Sequence, residues 1–430
     1  MSILPSHVVT YLKKLRQSFT PEEIAARLSP KFTRLDSLRP TRKATPHSIG
    51  QFWEKLQATG QMADGDQGLI ADDATLAMAK NFETNIENFV GTIKVPLGVI
   101  GPLRVNGLNA NGDYYVPLAT TEAALVASYG RGADIAGKAG GITSVLVNEG
   151  VLRSPAFLFD NSFAAGHFVE WLVGAVDELK KKAEATTSHG RLISIDPFID
   201  HDTVFLICRY TTGDASGQNM VTFATDALCR HILDHSPIKP RRWFIEANFS
   251  GDKKASHLGI LAGRGRKVTA SVYLPEELIR KYLHCDMTAI VAYGQVANLG
   301  ALLSGQIGAQ AHYANGLAAF YIATGQDAAC VAESAVGFTR LEQRDQGLFF
   351  SVTLPNILVG SVGGGTKLPS QGAALRMMGL QGAGKAAALA EVVAALCLAG
   401  EISIIGAIAA GHFSRAHLKL ARGPNASRER

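Results

Sequence analysis

The alternation of hydrophobic and polar positions predicts a protein of mixed helices and strands. Helical periodicity indicates helices over residues 163–187 and 220–233, whereas strand periodicity indicates strands over residues 192–199, 204–210 and 242–245. Helices and strands therefore alternate between residues 154 and 247. This order is typical of a compact α+β unit set inside a larger domain.

The same periodicity predicts further elements on both sides of this unit. A run rich in alanine and glycine over residues 298–323 predicts a buried helix. Residues 1 to about 75 are predicted to be helical, with a helix start at Thr20-Pro21-Glu22-Glu23, where a capping residue precedes a proline and two acids. The other predicted elements are a loop over 39–46, strands over 114–118 and 271–274, and helices over 123–132 and 276–283.

The most hydrophobic segment, residues 386–410, predicts a pair of helices buried in the core. Glu391 and Glu401 interrupt it and Gly400 and Gly406 lie inside it, so no uninterrupted run reaches the ~18–20 apolar residues of a membrane span. The first residues lack the charged and then apolar layout of a signal peptide. We therefore expect a soluble, cytoplasmic protein without a membrane anchor.

Composition and charge narrow the possible ligands. The chain has 430 residues, of which 47% are hydrophobic, so two or three domains with a large core are expected. The net charge of +5 suits anionic small molecules, and no basic tract has interleaved aromatic residues, so we expect no nucleic-acid partner. The 5 dispersed cysteines and 12 histidines lack metal-ligand spacing, so no metal is predicted.

Two adjacent lysines are the first candidates for chemistry. Lys253 and Lys254 follow Asp252, directly after the predicted strand at 242–245, which is expected to be buried. One ammonium group could stabilise a developing oxyanion while its neighbour binds a carboxylate or phosphate. A solvated turn is the alternative for this segment alone.

Two carboxylates are further candidates. Glu122 lies at the predicted start of the helix over 123–132, where burial would favour its protonated form for acid catalysis, although such a residue is usually only a cap. Asp327 ends the Ala/Gly-rich run, and a buried charge there needs a partner, for which Lys253 is the natural candidate.

Two glycine-rich turns and a terminal histidine complete the candidates. Small residues over 211–220 precede a helix, so backbone N–H groups could approach a phosphate, although neither GxGxxG nor a Walker A sequence is present. The segment 360–366 suits close backbone approach to a ligand, with an ordinary flexible loop as an equal alternative. His417 follows the apolar segment, where a capping or surface role is the alternative.

Taken in order, these segments resemble the hydroxymethylglutaryl-coenzyme A reductase family. The form Asp-Ala-x-Gly-x-Asn-Met at 214–220 and the ending Gly-His-x-x-x-x-His at 411–417 are most similar to class I members. The segments that carry the resemblance span roughly residues 80–420 and are Glu87-Asn88-Phe89-Val90-Gly91, 96–103, 120–131, 212–220, 251–255, Gly325-Gln326-Asp327-Ala328-Ala329, 360–366 and 399–417.

The resemblance implies a fold and an assembly. The expected fold class is α+β, with a helical N-terminal region (1–86) and a large α/β substrate and CoA domain in two parts (87–153 and 248–430). A small ferredoxin-like α+β domain (154–247), which binds the dinucleotide, is inserted between the two parts. Active sites shared between subunits imply a homodimer or a dimer of dimers.

The resemblance also implies the reaction and the catalytic residues. Hydroxymethylglutaryl-CoA would be reduced to mevalonate and free CoA, in the mevalonate pathway of isoprenoid biosynthesis, with two hydrides from NADPH or possibly NADH. Lys253 would stabilise the oxyanion, Glu122 would be the general acid, Asp327 would orient both, and His417 would protonate the CoA thiolate. The implied binding residues are Arg153, Asn248, Asp252, Lys254 and Asn315 for the acyl group, Ser128 and Arg131 for CoA, and Ser188, Asp214, Ala215, Ser216, Gly217, Gln218 and Asn219 for the dinucleotide.

This sequence departs from the family pattern at several positions, and two other functions stay open. Glu246 stands where a substrate-facing serine is usual, and no lysine occurs between Tyr293 and Gly300. The alternatives are a reductase of a different acyl-CoA and a catalytically silent paralogue that binds CoA or a nucleotide. The other departures are Ala123 for a usual glycine, Ser216 and Gln218 for usual methionines, and Ser188 or His189 for an arginine suited to the 2′-phosphate of NADP.

Overall fold

The computed structural model describes residues 6–32 and 43–413. Contacts divide the chain into a small unit, Met1–Lys80 with Ile86–Gly91, and a large unit, Asn81–Asn85 with Thr92–Arg430. Every described residue that the sequence assigned to chemistry belongs to the large unit.

The small unit is helical in its described residues, as predicted. Thr20 starts the second helix with a reciprocal cap, since its hydroxyl accepts from Glu23 N at 3.2 Å while Glu23 Oε2 accepts from Thr20 N at 2.8 Å. Of the predicted loop, residues 39–42 lie outside the described residues. The helices are α1 (Ser6–Ser18), α2 (Pro21–Leu28), α3 (Pro46–Gln57), α4 (Asp66–Ile70) and α5 (Asp73–Ala77).

The large unit is built on one mixed sheet in which β3 is the central connection. Its residues 142–144 pair in parallel with β1, residues 143–150 pair antiparallel with β8, and residues 151–153 pair antiparallel with β6. The main path through the sheet runs β7-β4-β6-β3-β8-β10-β9. The strands are β1 (Leu97–Gly107), β2 (Asn111–Ala119), β3 (Ile142–Arg153), β4 (Ala156–Leu158), β5 (Arg191–Asp200), β6 (Thr203–Thr211), β7 (Arg242–Phe244), β8 (Gly265–Pro275), β9 (Phe338–Arg344) and β10 (Gly347–Ile357).

Helices pack on this sheet, and the loops that connect them to the strands contain many of the candidate residues. Short 3₁₀ turns occur at Ala79–Phe82, Ala328–Cys330 and Gly364–Lys367, and a π-helical turn at Ile279–Leu283 follows α10. The helices are α6 (Leu125–Lys138), α7 (Ser162–Glu184), α8 (Gln218–His235), α9 (His257–Ala262), α10 (Glu276–Leu278), α11 (Met287–Ser304), α12 (Tyr313–Thr324), α13 (Val331–Ser334), α14 (Pro369–Met377) and α15 (Ala386–Ala409).

The segment predicted as a buried helix pair is one helix, α15. It is buried as predicted, but its glycines do not break it. They allow close packing instead, since a Cβ at Gly400 would lie 2.5 Å from the ring of Tyr129 and one at Gly406 would lie 2.7 Å from Leu283. Glu391 is fully buried and accepts hydrogen bonds from the backbone N–H groups of residues 109, 110 and 146.

Two of the described helices, α11 and α15, are long and apolar enough to cross a membrane by length and composition alone. The hydrophobic window of α15 is 83% buried inside the fold, as in the core helix of a globular domain. The corresponding window of α11 is only 6% buried.

The prediction of one buried helix over residues 298–323 is wrong. Gly305, with φ of 72°, ends α11, and α12 begins only at Tyr313. On α11, Val296, Leu302 and Leu303 are 70–78% exposed in the single chain. Periodicity could not reveal the break, because neither helix has a distinct apolar face.

Two smaller predictions need correction. The helix predicted from residue 123 begins at Leu125, because Ala124 adopts the left-handed conformation with φ of 71°. The strand at 242–245 is present but is not buried. It is the short edge strand β7, and the Phe244 side chain is 51% exposed. The elements predicted over 163–187, 192–199, 204–210, 220–233, 271–274 and 276–283 are confirmed as α7, β5, β6, α8, part of β8, and α10 with its π-helical turn. The proposed division into inserted and surrounding domains stays a prediction.

Candidate active site

The predicted ion pair between Lys253 and Asp327 is present. Lys253 Nζ lies 2.9 Å from Asp327 Oδ2, and both side chains are about two-fifths exposed, at 43% and 39%. The hydrogen bond that Lys253 donates to Asp327 raises the pKa of Lys253 despite partial burial, so the ammonium group stays charged. The Asp327 carboxylate also caps the 3₁₀ turn after it by accepting from Ala329 N at 3.1 Å. The chain therefore presents a fixed cation at a solvent-accessible position.

The Lys253 loop rests on a buried charged cluster that the sequence analysis did not identify. The Arg264 side chain is 1% exposed, and its Nη1 donates to Glu333 Oε1 and Oε2 at 2.6 and 2.7 Å. Its Nη2 lies 2.9 Å from Asp252 Oδ1. Burial raises the pKa of Glu333, and the Arg264 guanidinium opposes this effect. The one signal in the sequence is an arginine between Gly263 and Gly265.

This cluster also holds the backbone of the lysine loop. Lys253 N lies 3.4 Å from Glu333 Oε1, and Lys253 has a left-handed φ of 56°. A non-glycine residue persists in this conformation only where its surroundings enforce it. The buried carboxylate therefore helps fix the direction in which the lysine side chain leaves the loop.

Glu122 lies in an exposed loop before α6. The predictions that it is buried and that it stands at the start of a helix are therefore wrong. Its carboxylate is held by Asn315 from the first turn of α12. Asn315 Nδ2 donates to Glu122 Oε1 and Oε2 at 3.0 and 2.8 Å. Asn315, which was expected to line the acyl pocket, thus orients the candidate acid. Among the described residues, hydrogen bonds join Glu122 to Asn315 and Thr120 rather than to Asp327.

Arg153, expected to hold a substrate carboxylate, already contacts two carboxylates of the chain. Its Nη1 lies 3.1 Å from Glu246 Oε2 and 3.1 Å from Asp252 Oδ2, and the residue is 6% exposed. Burial alone would raise the pKa of Asp252, but the Arg264 and Arg153 guanidinium groups outweigh it and lower the pKa. Sequence reasoning identified Glu246 as a departure but not its pairing with Arg153.

Two other residues expected to bind the acyl group lie at the exposed side of the same loop. Lys254 Nζ donates to the carbonyl of Asp252 at 2.9 Å, which leaves its positive charge available to a ligand. Asn248 is exposed with φ of 65°, and its carbonyl accepts from Gly251 N at 3.4 Å.

A cavity of about 480 Å³ lies beside Glu122 and Asn315. Ser128 and Arg131 of α6, which are predicted to bind CoA, line it, and both form hydrogen bonds with α15. Ser128 Oγ lies 2.9 Å from Ser403 Oγ, and Arg131 Nε donates to the same oxygen at 3.1 Å. Burial lowers the pKa of Arg131. The cavity is large enough for part of an extended ligand next to the candidate acid.

The predicted dinucleotide loop connects β6 to α8, but two of its side chains form hydrogen bonds with other parts of the protein. Asp214 Oδ2 and Oδ1 accept from Gly384 N at 2.7 Å and Ala386 N at 3.1 Å, at the start of α15. Burial alone would raise the pKa of Asp214, but these backbone donors outweigh it and lower the pKa. Gln218 Oε1 accepts from Arg264 Nη2 at 2.5 Å, so Gln218 joins the loop to the buried cluster.

The remaining predicted cofactor residues lie at the N-terminal end of α8 or near it. Ala215 and Ser216 are half-buried, Gly217 is the left-handed cap with φ of 78°, and Asn219 is exposed. Ser188 is exposed in the turn between α7 and β5.

The glycine-rich segment 360–366 packs on the predicted dinucleotide loop, and its first residue is held by contacts within the protein. A Cβ at Gly360 would lie 2.6 Å from Ser216 N. Gly360 N donates to Gln326 Oε1 at 2.8 Å, and Gln326 Nε2 donates to Gly360 O at 3.0 Å. These bonds join it to the Gly325-Gln326-Asp327 segment.

His417 lies outside the described residues. Within residues 6–32 and 43–413, no group of three or more His, Cys, Asp and Glu side chains could hold a metal ion.

A sequence model of one family, hydroxymethylglutaryl-coenzyme A reductase, matches residues 52–422. The chain belongs to this family. It is 42% identical over 355 residues to the 3-hydroxy-3-methylglutaryl-coenzyme A reductase of Methanocaldococcus jannaschii, covering 81% of this chain and 87% of the relative. It is 41% identical over 350 residues to the enzyme of the same name from Haloferax volcanii, covering 80% of this chain and 86% of the relative.

The fold is likewise that of solved members of the reductase family. The class II 3-hydroxy-3-methylglutaryl-CoA reductase from Streptococcus pneumoniae, in a structure bound to NADPH, has a TM-score of 0.62 to this chain. The two share 19% sequence identity, and the match covers 84% of this chain and 96% of the other. The resemblance to the reductase family and the α+β fold class are therefore confirmed.

Proposed function

We propose that this reductase converts 3-hydroxy-3-methylglutaryl-CoA to mevalonate and free CoA, as a step of the mevalonate pathway. The observation that carries the proposal is the ion pair of Lys253 and Asp327, at 2.9 Å, in a chain of this family. An ammonium group held in place before reaction is suited to stabilise the oxyanion that forms when hydride reaches the thioester carbonyl.

The other catalytic roles follow from the two reductions. Lys253 stabilises the first oxyanion, the C–S bond breaks, and His417 protonates the leaving CoA thiolate. The second reduction converts the aldehyde to an alcohol, and Glu122, held by Asn315, supplies the proton to its oxygen. Asp327 orients Lys253 throughout.

NADPH is the proposed cofactor, with NADH as the alternative, and it supplies one hydride for each reduction when bound. The N-terminal end of α8, which follows the left-handed Gly217, presents backbone N–H groups suited to its phosphates. Ser216, Asn219 and Ser188 are the side chains proposed to contact the dinucleotide. The NADPH-bound structure of the Streptococcus pneumoniae reductase supports this choice.

We also propose a homo-oligomer, a dimer or a dimer of dimers, whose subunits share active sites. The exposed apolar residues of α11, Val296, Leu302 and Leu303, support it, since such side chains are normally covered. The segments at 214–220 and 411–417 favour a class I-like enzyme, although the solved relative named above is of class II. The burial of α15 supports a soluble, cytoplasmic protein.

The test is reduction by the purified full chain, with NADPH and NADH compared. We expect two cofactor molecules consumed for each free thiol released, with mevalonate as product. Lys253→Met is expected to lower kcat about 10²–10³-fold, whereas Lys181→Met, at an exposed ion pair on α7, serves as the matched control.

Near-normal turnover by folded Lys253→Met would contradict the assignment of the oxyanion site. Binding of CoA by the wild-type chain without oxidation of either cofactor would favour the catalytically silent paralogue.

A further inference from the structure

Glu246 occupies the guanidinium group that a substrate carboxylate would be expected to reach. We infer that Glu246 determines acyl specificity by weakening the preference of this site for an acyl group that ends in a free carboxylate. The inference rests on the proposed function, because it assumes that Arg153 faces the distal end of the acyl group.

Arg153 already has carboxylate partners within the chain. Nη1 of Arg153 is shared by Glu246 and Asp252, each at 3.1 Å. The neighbouring guanidinium of Arg264 is committed to Asp252 and to Glu333. A substrate carboxylate would therefore be the third anion on Arg153, in a place where 6% exposure leaves little water to screen the repulsion.

Glu246 is held in this position by the loop itself. Its Oε2 accepts from Ser250 Oγ at 2.8 Å and lies 3.4 Å from Ser154 N. Displacing Glu246 from Arg153 would therefore break contacts with the loop that leads to Lys253. A carboxylate-bearing substrate must either displace it or bind beside it.

The pair is also incomplete as a purely structural ion pair. Glu246 Oε1 and Arg153 Nε are buried without a hydrogen-bond partner among the described residues. Unpaired buried polar atoms are costly, so the contact between Glu246 and Arg153 is not explained by stability alone. A neutral carboxamide in place of the substrate carboxylate would avoid the repulsion from Glu246 and Asp252, whereas a carboxylate would not.

The two carboxylates on Arg153 therefore reduce the preference of this site for a carboxylate over a neutral distal group of the same shape. Lys254, exposed at the same loop, still offers a positive charge to a carboxylate. The enzyme can therefore still bind 3-hydroxy-3-methylglutaryl-CoA, but with a smaller preference for its carboxylate over a neutral group.

The test compares two CoA thioesters in wild type and Glu246→Gln. One is 3-hydroxy-3-methylglutaryl-CoA, and the other carries the same acyl group with its carboxylate converted to a carboxamide. Glutamine keeps the shape and an acceptor for Ser250 but removes the charge. We expect the ratio of kcat/KM for carboxylate over carboxamide to rise about tenfold in Glu246→Gln, mainly through a lower KM for the carboxylate substrate.

Glu342→Gln, at an exposed pair with Arg344, is the matched control and should leave this ratio at the wild-type value. Calorimetric Kd values for both thioesters test the same ratio without turnover. An unchanged or lower ratio in Glu246→Gln would overturn the inference. If the wild type reduces neither thioester, the proposed function fails, and the ratio of Kd values alone decides the role of Glu246.

Should Glu246→Gln fail to fold, Glu246→Ser provides the same comparison with a smaller neutral side chain. A rise in the carboxylate preference with serine would support the inference. A fall would show that Glu246 helps rather than hinders carboxylate binding.

Discussion

Replacing Arg264 with methionine should strongly destabilise this protein at neutral pH. Methionine preserves much of the side-chain volume but removes the ion-pair partner of Glu333, whose side chain is 2% exposed. Asp252 would keep Arg153, so the uncompensated charge is that of Glu333. Removing one partner of a buried ion pair costs about 3–5 kcal/mol, and we expect a loss of that size in the free energy of unfolding.

The pH dependence of this loss has a definite sign. Burial already raises the pKa of Glu333, and without Arg264 it would rise further. A carboxyl group whose pKa is higher in the folded state binds a proton more tightly there than in the unfolded chain. Its ionised form therefore destabilises the fold increasingly as the pH rises above the pKa of the group in the unfolded chain. The deficit of Arg264→Met should therefore be larger at about pH 7 than at about pH 5.

The assay is equilibrium urea unfolding at one fixed protein concentration, because self-association would shift the midpoint. Arg264→Met combined with Glu333→Gln should recover part of the loss, with a coupling of about 0.5–3 kcal/mol. The matched control is Arg344→Met, at a pair whose side chains are each 47% exposed, where only a small loss is expected. A similarly small loss in Arg264→Met, or one that does not change with pH, would refute the reasoning.

Three further predictions follow from single contacts. Asn315→Ala should lower kcat about 10–100-fold, because the Glu122 carboxylate loses both hydrogen bonds that orient it. Unchanged kcat in steady-state assays would argue against that orientation. On α6, a Cβ at Gly132 would lie 1.8 Å from a carbonyl oxygen of α15, whereas Gly137 has nothing within 4 Å. Gly132→Ala should thus cost about 1–3 kcal/mol in urea unfolding, while Gly137→Ala gains up to about 1 kcal/mol, and equal midpoints would contradict this packing. Asp214→Asn should lower the free energy of unfolding more at about pH 7 than at about pH 3. A carboxylate whose pKa is lowered by folding stabilises the folded state at pH values above its ordinary pKa, and this stabilisation is lost as the pH falls. An equal loss at both pH values would contradict the capping role.

The sequence by itself determined the elements whose pattern is local. The alternation that predicted α7, β5, β6 and α8 records which face of each element is buried, and that face is set by neighbouring residues in the chain. It also indicated Lys253 as the partner of Asp327, although the expected burial of Asp327 was wrong, since its side chain is 39% exposed. The motifs shared with the family carried the family assignment.

The tertiary structure decided what depends on residues far apart in the chain. Arg153 meets Glu246 across 93 positions, and Arg264 meets Glu333 across 69, so no local pattern could reveal either pair. The break after α11 and its exposed side were hidden for a different reason, since a helix without a distinct apolar face shows no side from which burial could be inferred. Periodicity records burial along one element, whereas the charge balance of a site depends on which elements the fold brings together.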